Sequence, residues 1–172
     1  DIYKFPFDVL NAQDWDIEHI DSFHTNALKK DELKREWIET ARNDRKDFLS
    51  VQEQQEIDQK LENKEYDTVI DLKKNAGETE MDEEIKNSIG NLTLLDAETN
   101  RSYGNSLFCT KRRIIIDRIK QGVFIPAATQ YIFSKFYDDK GTNRSIWAKE
   151  DMESYHKYII CMLNEYLPEY NQ

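Results

Sequence analysis

Residues 15–20, Trp-Asp-Ile-Glu-His-Ile, constrain this chain most tightly. Trp15, Ile17 and Ile20 alternate with Asp16 and Glu18 until His19 breaks the pattern, and a period of two marks a short strand. A single short strand cannot stand alone. Its partner is expected at residues 89–95, Ile-Gly-Asn-Leu-Thr-Leu-Leu, where Gly90 and Asn91 open a strand and Leu92, Leu94 and Leu95 supply apolar contacts. Adjacent side chains of a regular strand face opposite ways, so Glu18 and His19 can share a site only where the strand ends, bulges or twists. Before this pair, residues 2–10 cluster around Pro6 and read as an extended lead-in or edge strand, and residues 11–14 as a turn.

Between the two strands the composition changes. Residues 31–86 hold 18 acidic and 10 basic side chains. Leu33, Trp37, Ile38 and Ala41 fit one helical stripe, and Phe48, Ile57 and Leu61 a weaker second. Residues 66–72 suggest a short third piece, Asn75-Ala76-Gly77 a stop, and residues 81–87 one more short helix. The expectation is an acidic helical insertion over 31–88. Its charge reads as a solvated face; the functional alternative is a surface that repels DNA or meets a partner domain.

Residues 96–105, rich in Asp, Asn, Ser and Gly, read as a loop. Ser106 then caps a helix reaching Gln121, with Gly122 just beyond. Leu107 and Ile114, with Phe108, Ile115 and Ile119, form its packed side, while Lys111, Arg112, Arg113, Arg118 and Lys120 offer positive charge. Pro126 suits the start of a further helix whose Tyr131, Ile132, Phe136 and Tyr137 face the core. A last helix over 148–167 carries Met152, Tyr155, Ile159, Met162, Leu163 and Tyr166 on one stripe, with His156 a polar position on it. Residues 123–172 are thus C-terminal helical support. The fold class is α+β, mostly helical, in one domain over 1–172, and the start at Asp1 reads as a fragment of a longer protein.

Composition limits what such a chain can do. With 38% hydrophobic and 12% aromatic residues it can bury an ordinary core. A formal net charge of −10 excludes a general polyanion binder. The acid is uneven: residues 1–100 carry −13 and residues 101–172 carry +3, so a nucleic-acid face belongs in the second half. Cys109 and Cys161 are too few for a disulfide framework and lack Cys-x-x-Cys spacing. A reduced, cytoplasmic setting is expected, with no membrane partner, since no apolar run approaches the roughly 20 residues a bilayer demands.

The two strands and the basic helix bring three kinds of residue to one end. His19 can take a proton from water, an ordinary imidazole having a pKa of about 6.5. Glu18 and the side-chain oxygen of Asn100 can hold one Mg2+, or Mn2+, which prefers oxygen ligands and keeps waters that a substrate can replace. Lys111, Arg112 and Arg113 are the candidate DNA-phosphate contacts. Asp16 shares a face with Glu18 and is either a second ligand or solvated acid. His24 invites a zinc reading, but no cysteine pair supports it.

Glu-His-Ile at 18–20 resembles the first strand of the HNH (His-Me finger) nucleases. Asn91 precedes Asn100 by nine residues, similar to the spacing between the loop-orienting and metal-binding asparagines of the HNH domain of CRISPR guide-directed nucleases. Glu-His-Ile, Ile-Gly-Asn-Leu-Thr-Leu-Leu, the two later asparagines, Phe108 and Lys111 together resemble the C-terminal nuclease domain of GmrSD-type modification-dependent restriction proteins. The resemblance implies a ββα-metal core, a base at His19, metal ligands at Glu18 and Asn100, a backbone-orienting role for Asn91 and a secondary site role for Asn105. It also implies an N-terminal sensor and nucleotide-using domain as partner in a longer protein.

The functional expectation is a Mg2+-dependent DNA endonuclease domain that nicks duplex DNA in restriction or anti-phage defence. The alternatives are a non-catalytic helical interaction module with a decayed nuclease core, and an RNA-directed nuclease.

Overall fold

The structure, a computed structural model, describes residues 6–21, 28–67, 83–103, 106–136, 145–164 and 166. Pro6 precedes a short helix, α1 (Phe7–Ala12), where an extended segment was expected over this stretch. Proline is tolerated at a helix start because the N–H it lacks would have no partner there. Strand β1 (Trp15–His19) follows, and the Trp15 indole reaches back to donate to Leu10 O at 2.7 Å.

Among the described residues, three helices lie between the strands in the chain. In α2 (Asp31–Arg45), Ile38 and Ala41 are buried. In α3 (Val51–Glu62), Ser50 and Glu53 form a reciprocal cap: the Ser50 hydroxyl accepts from Glu53 N, and the Glu53 carboxylate accepts from Ser50 N. The third, α4 (Glu83–Lys86), runs into a 3-10 turn, Ile89–Asn91. Gly90 and Asn91 therefore belong to that turn, and β2 is Leu92–Asp96. The expected pieces at 68–80 lie outside the described residues.

β1 and β2 form a two-stranded antiparallel sheet, with Trp15 opposite Asp96 and His19 opposite Leu92. The stretch expected as a loop after β2 is instead helix α5 (Ala97–Tyr103). Its loop-like composition is overridden by Asp96, whose Oδ1 accepts from Thr99 N at 3.0 Å as an N-terminal cap. Next come α6 (Phe108–Lys120), α7 (Ala127–Ser134) and α8 (Lys149–Leu163). The architecture is α+β and mostly helical. No described helix is long and apolar enough to cross a membrane.

Two apolar clusters hold these elements. The larger joins Ile20, Leu95, Phe108, Ile115, Ile125, Ile132, Phe133, Trp147, Met152 and Tyr155. Within it Phe108 stacks on Phe133 and Trp147, ring centroids 5.4 and 5.5 Å away. The smaller joins Ile38, Ala41, Leu49 and Ile57 of the insertion to Leu107 and Cys109. Several expected core positions sit outside instead: Ile119, Tyr131, Phe136, Met162 and Leu163 are exposed. Tyr131 and Phe136 stack on one another at 4.8 Å, and Phe133 supplies the aromatic core contact of α7. The start of α8 is fastened by a buried pair, Lys135 Nζ to Asp151 Oδ2 at 2.8 Å. Gly90 packs directly beneath the Met152 carbonyl, which seats α8 on the turn before β2.

Candidate active site

The pairing register fixes which way the β1 side chains face. Cross-strand partners share a face, so Asp16 and Glu18 lie with Leu95 and Thr93, and His19 lies on the other face with Leu92. The ladder shows no irregular pairing between Glu18 and His19, and the strand ends at His19.

The chain just past His19 is clamped from two sides. Asn91 is fully buried; its Oδ1 accepts from Asp21 N, and its Nδ2 donates to Asp21 O and Lys86 O, all at 2.9 Å. Its own carbonyl accepts from Ile20 N at 2.8 Å. An asparagine with two donors and an acceptor can satisfy a bend in this way where an apolar residue cannot. From the opposite side, Lys111 Nζ donates to His19 O at 3.0 Å and to Ile20 O at 3.1 Å. Lys111 was expected on the open basic face; it is instead fully buried, so it does not lie where a phosphate could meet it. Its position one turn into α6 points it at the end of β1, a tertiary fact that helical spacing alone does not contain.

His19 Nε2 lies 2.9 Å from Asn87 Oδ1. Asn87 was not singled out from the sequence, and its only signal was proximity to Asn91. Asn100, on α5 rather than in a loop, donates from Nδ2 to Asp16 Oδ2 at 2.9 Å across 84 residues of chain. The carboxylate joined to Asn100 is therefore Asp16, and Glu18 stands one alternate position further along the same strand face, roughly 7 Å away by strand rise. Asn105 and His24 lie outside the described residues.

The basic side of α6 is largely occupied from within. Arg113 makes a forked contact to Asp44 of α2, Nε to Oδ1 at 2.7 Å and Nη2 to Oδ2 at 3.3 Å. The hydrogen bond to Asp44 raises the Arg113 pKa further above its ordinary value, burial opposing it. Arg118 pairs with Glu98 at 3.1 Å and Lys120 with Asp117 at 3.5 Å, while Arg112 is half-buried. The expected row of phosphate-seeking charges is thus replaced by cross-links to acidic neighbours. A cavity of about 450 Å³ between α2 and α6, lined by Trp37, Thr40, Arg101, Thr110 and Arg113 among others, does not include Glu18, His19 or Asn100.

Among the described residues no three His, Cys, Asp or Glu side chains gather tightly enough to enclose a metal ion. What the β1 face offers is two carboxylates, Asp16 and Glu18, and the Asn100 amide tied to one of them. That all-oxygen set fits a hard cation held by one or two protein groups, with waters and substrate completing its shell, better than zinc.

Comparison with known proteins gives one match. The family described as GmrSD restriction endonucleases, C-terminal domain, matches residues 29–162. The matched segment holds Asn87, Asn91, Asn100 and Lys111, and β1 precedes it. No curated protein and no solved structure matches the chain.

Proposed function

We propose, from the premise that this chain belongs to the GmrSD restriction endonuclease C-terminal domain family, that it is a Mg2+-dependent DNA endonuclease domain of the HNH type. In this reading β1, β2 and α5 form a ββα-metal core that nicks one strand of duplex DNA in restriction or anti-phage defence. The observation that carries the reading is the Asn100–Asp16 hydrogen bond. It draws the amide of α5 to the carboxylate face of β1, at Asp16, three residues before His19.

His19 accepts the proton of the attacking water, a role worth about 10²- to 10⁴-fold in rate for a positioned base. Glu18 and Asn100 supply the oxygen atoms that would hold the cation, with Asp16 orienting the Asn100 amide through its N–H. When bound, the cation would stabilise the charge that builds on the scissile phosphate and on the leaving oxygen. Asn91 and Lys111 fix the peptides at 19–21, which holds the strand end that carries the imidazole. DNA is the substrate and a sensor domain the partner in the longer protein, in the cytoplasm. With one base and one cation, nicking is the default and a double-strand cut needs two copies.

The test is plasmid relaxation with Mg2+ by wild type, His19→Ala and Asn100→Ala. Both variants are expected to lose at least about 100-fold; relaxation at the wild-type rate by both sinks the assignment. A second reading, a non-catalytic interaction module, is favoured by one observation: the α6 cations are spent on Asp44, Glu98 and Asp117. Calorimetry separates the two, because only the nuclease should bind Mg2+ or Mn2+ in a manner that Glu18→Ala abolishes.

A further inference from the structure

The contact between His19 Nε2 and Asn87 Oδ1, 2.9 Å long and spanning 68 residues, lies outside the strand ladder. Asn87 is exposed and sits between two fixed peptides. Its preceding carbonyl, Lys86 O, accepts from Asn91 Nδ2, while Ser88 N donates to Ile85 O and Ser88 O accepts from Asn91 N. The Asn87 Cα is therefore held relative to Asn91, and Asn91 is held to the peptides that follow His19. An amide oxygen only accepts hydrogen bonds. The contact thus requires the hydrogen on Nε2, and a neutral ring then carries its basic lone pair on Nδ1.

We propose that Asn87 is a positioning residue for His19: its Oδ1 selects the tautomer protonated at Nε2 and aims Nδ1 as the nitrogen that receives the proton of water. The proposal rests on the reading of His19 as the base, and extends it by naming the group that orients the ring. The reaction gains no new step from it. Water gives its proton to Nδ1 while its oxygen bonds to phosphorus and the P–O bond to the leaving oxygen breaks; the other ring hydrogen stays on Nε2, donated to Asn87 Oδ1.

Two readouts on the full chain test this. The first is the long-range proton–nitrogen spectrum of the imidazoles, recorded in alkaline buffer where the rings are neutral, with His19→Ala assigning the His19 signals. Wild type should show a protonated Nε2 and an unprotonated Nδ1. Asn87→Leu, similar in size but without an acceptor, should show mixed tautomers, and Asn87→Asp, which keeps an acceptor, the wild-type pattern. The second readout is Mg2+-supported plasmid relaxation. Asn87→Leu should lower kcat about 10- to 100-fold with KM unchanged, as for outer partners of other functional imidazoles, and Asn87→Asp should recover most of it.

A Leu variant that keeps the Nε2-protonated pattern overturns the proposal. So does one that keeps full turnover while His19→Ala loses it, and in that case the base assignment stands. Wild-type turnover by His19→Ala removes both readings together, a result distinct from either of the others. Because Asn87 is exposed, neither substitution opens a core cavity, and matching thermal melts confirm that the variants are folded.

Discussion

Lys111→Met should destabilise the fold markedly while leaving the salt dependence of DNA binding alone. The side chain is wholly buried, and its Nζ satisfies two backbone carbonyls, Ile20 O in a buried setting and His19 O in a partly buried one. Methionine fills nearly the same volume, so little cavity cost enters. What is lost is the donor. Leaving a buried acceptor unsatisfied costs about 1–3 kcal/mol. Two acceptors give about 2–6 kcal/mol, and access of water to His19 O places the sum in the lower half, about 2–4 kcal/mol. For a domain of this size each kcal/mol lowers Tm by roughly 2–4 °C, so thermal denaturation followed by circular dichroism should show a drop of about 4–16 °C. Against a typical total stability of about 5–15 kcal/mol, the variant should still fold at room temperature. Binding to a nonspecific duplex at several salt concentrations then tests location. A phosphate contact would reduce the slope of log K against log salt by about 0.9, and a clamp on β1 would not. Unchanged Tm together with a reduced slope would refute the argument.

Three further outcomes are expected. Gly90→Ala places a methyl carbon into the Met152 carbonyl and should cost about 1–3 kcal/mol by overpacking, read as lowered Tm with α8 amides exchanging faster; an unchanged exchange pattern would show that α8 is not seated on the turn. Arg113→Ala should destabilise more than Asp44→Ala, because the Asp44 side chain is only 10% exposed and the Arg113 side chain 49%. The stranded carboxylate is desolvated, whereas the stranded guanidinium is not, and a double-mutant cycle that ranks them the other way contradicts this. Burial raises the Tyr155 pKa above its ordinary value. Deprotonation is therefore harder in the folded state, so the stability it protects is intact below the unfolded pKa of about 10 and lost as pH rises past it. Urea titrations at rising alkaline pH should show a steeper loss for wild type than for Tyr155→Phe.

Where local pattern and tertiary demand coincide, the amino-acid sequence is readable. The period of two over Trp15 to His19 marks β1, although Ile17 is exposed, and Ile38 and Ala41 recur at helical spacing because α2 buries one stripe, with Ile57 the buried residue of α3. The misreadings arise where a distant partner decides. Residues 97–103 carry loop-like side chains, yet Asp96 caps them into α5. Residues 7–12 lie beside Pro6 and look extended, yet they form a helix whose Leu10 carbonyl receives the Trp15 indole. In the candidate site, spacing places Lys111 and Arg113 on one helix but is silent about what each meets. The answers, carbonyls at 19 and 20 and a carboxylate at 44, lie 69 to 92 residues away. Asn87 carried no pattern at all, because a single amide at a helix end resembles any cap.

α6 also explains why an acidic insertion between the strands need not disturb them. Consecutive residues at its start serve different cores: Leu107 and Cys109 belong with Ile38 and Ile57 of the insertion, while Phe108 and Ile115 belong with Ile20 and Leu95 beside the sheet. Lys111 is buried in the next turn of the same helix and ends on the peptides that close β1. The helix is therefore a shared wall. A shift of α2, which Arg113 and Asp44 join to α6, would be carried by a rigid rod to the His19 carbonyl. Such a rod transmits displacement because packed interiors deform little. Asp44 of the insertion thus has two structural consequences: it pairs with Arg113 of α6, and it joins α2 to the helix whose lysine sets the end of the strand. Substitutions confined to the α2–α6 contact should therefore change the environment of His19, visible in its imidazole resonances, although none of the altered side chains touches it.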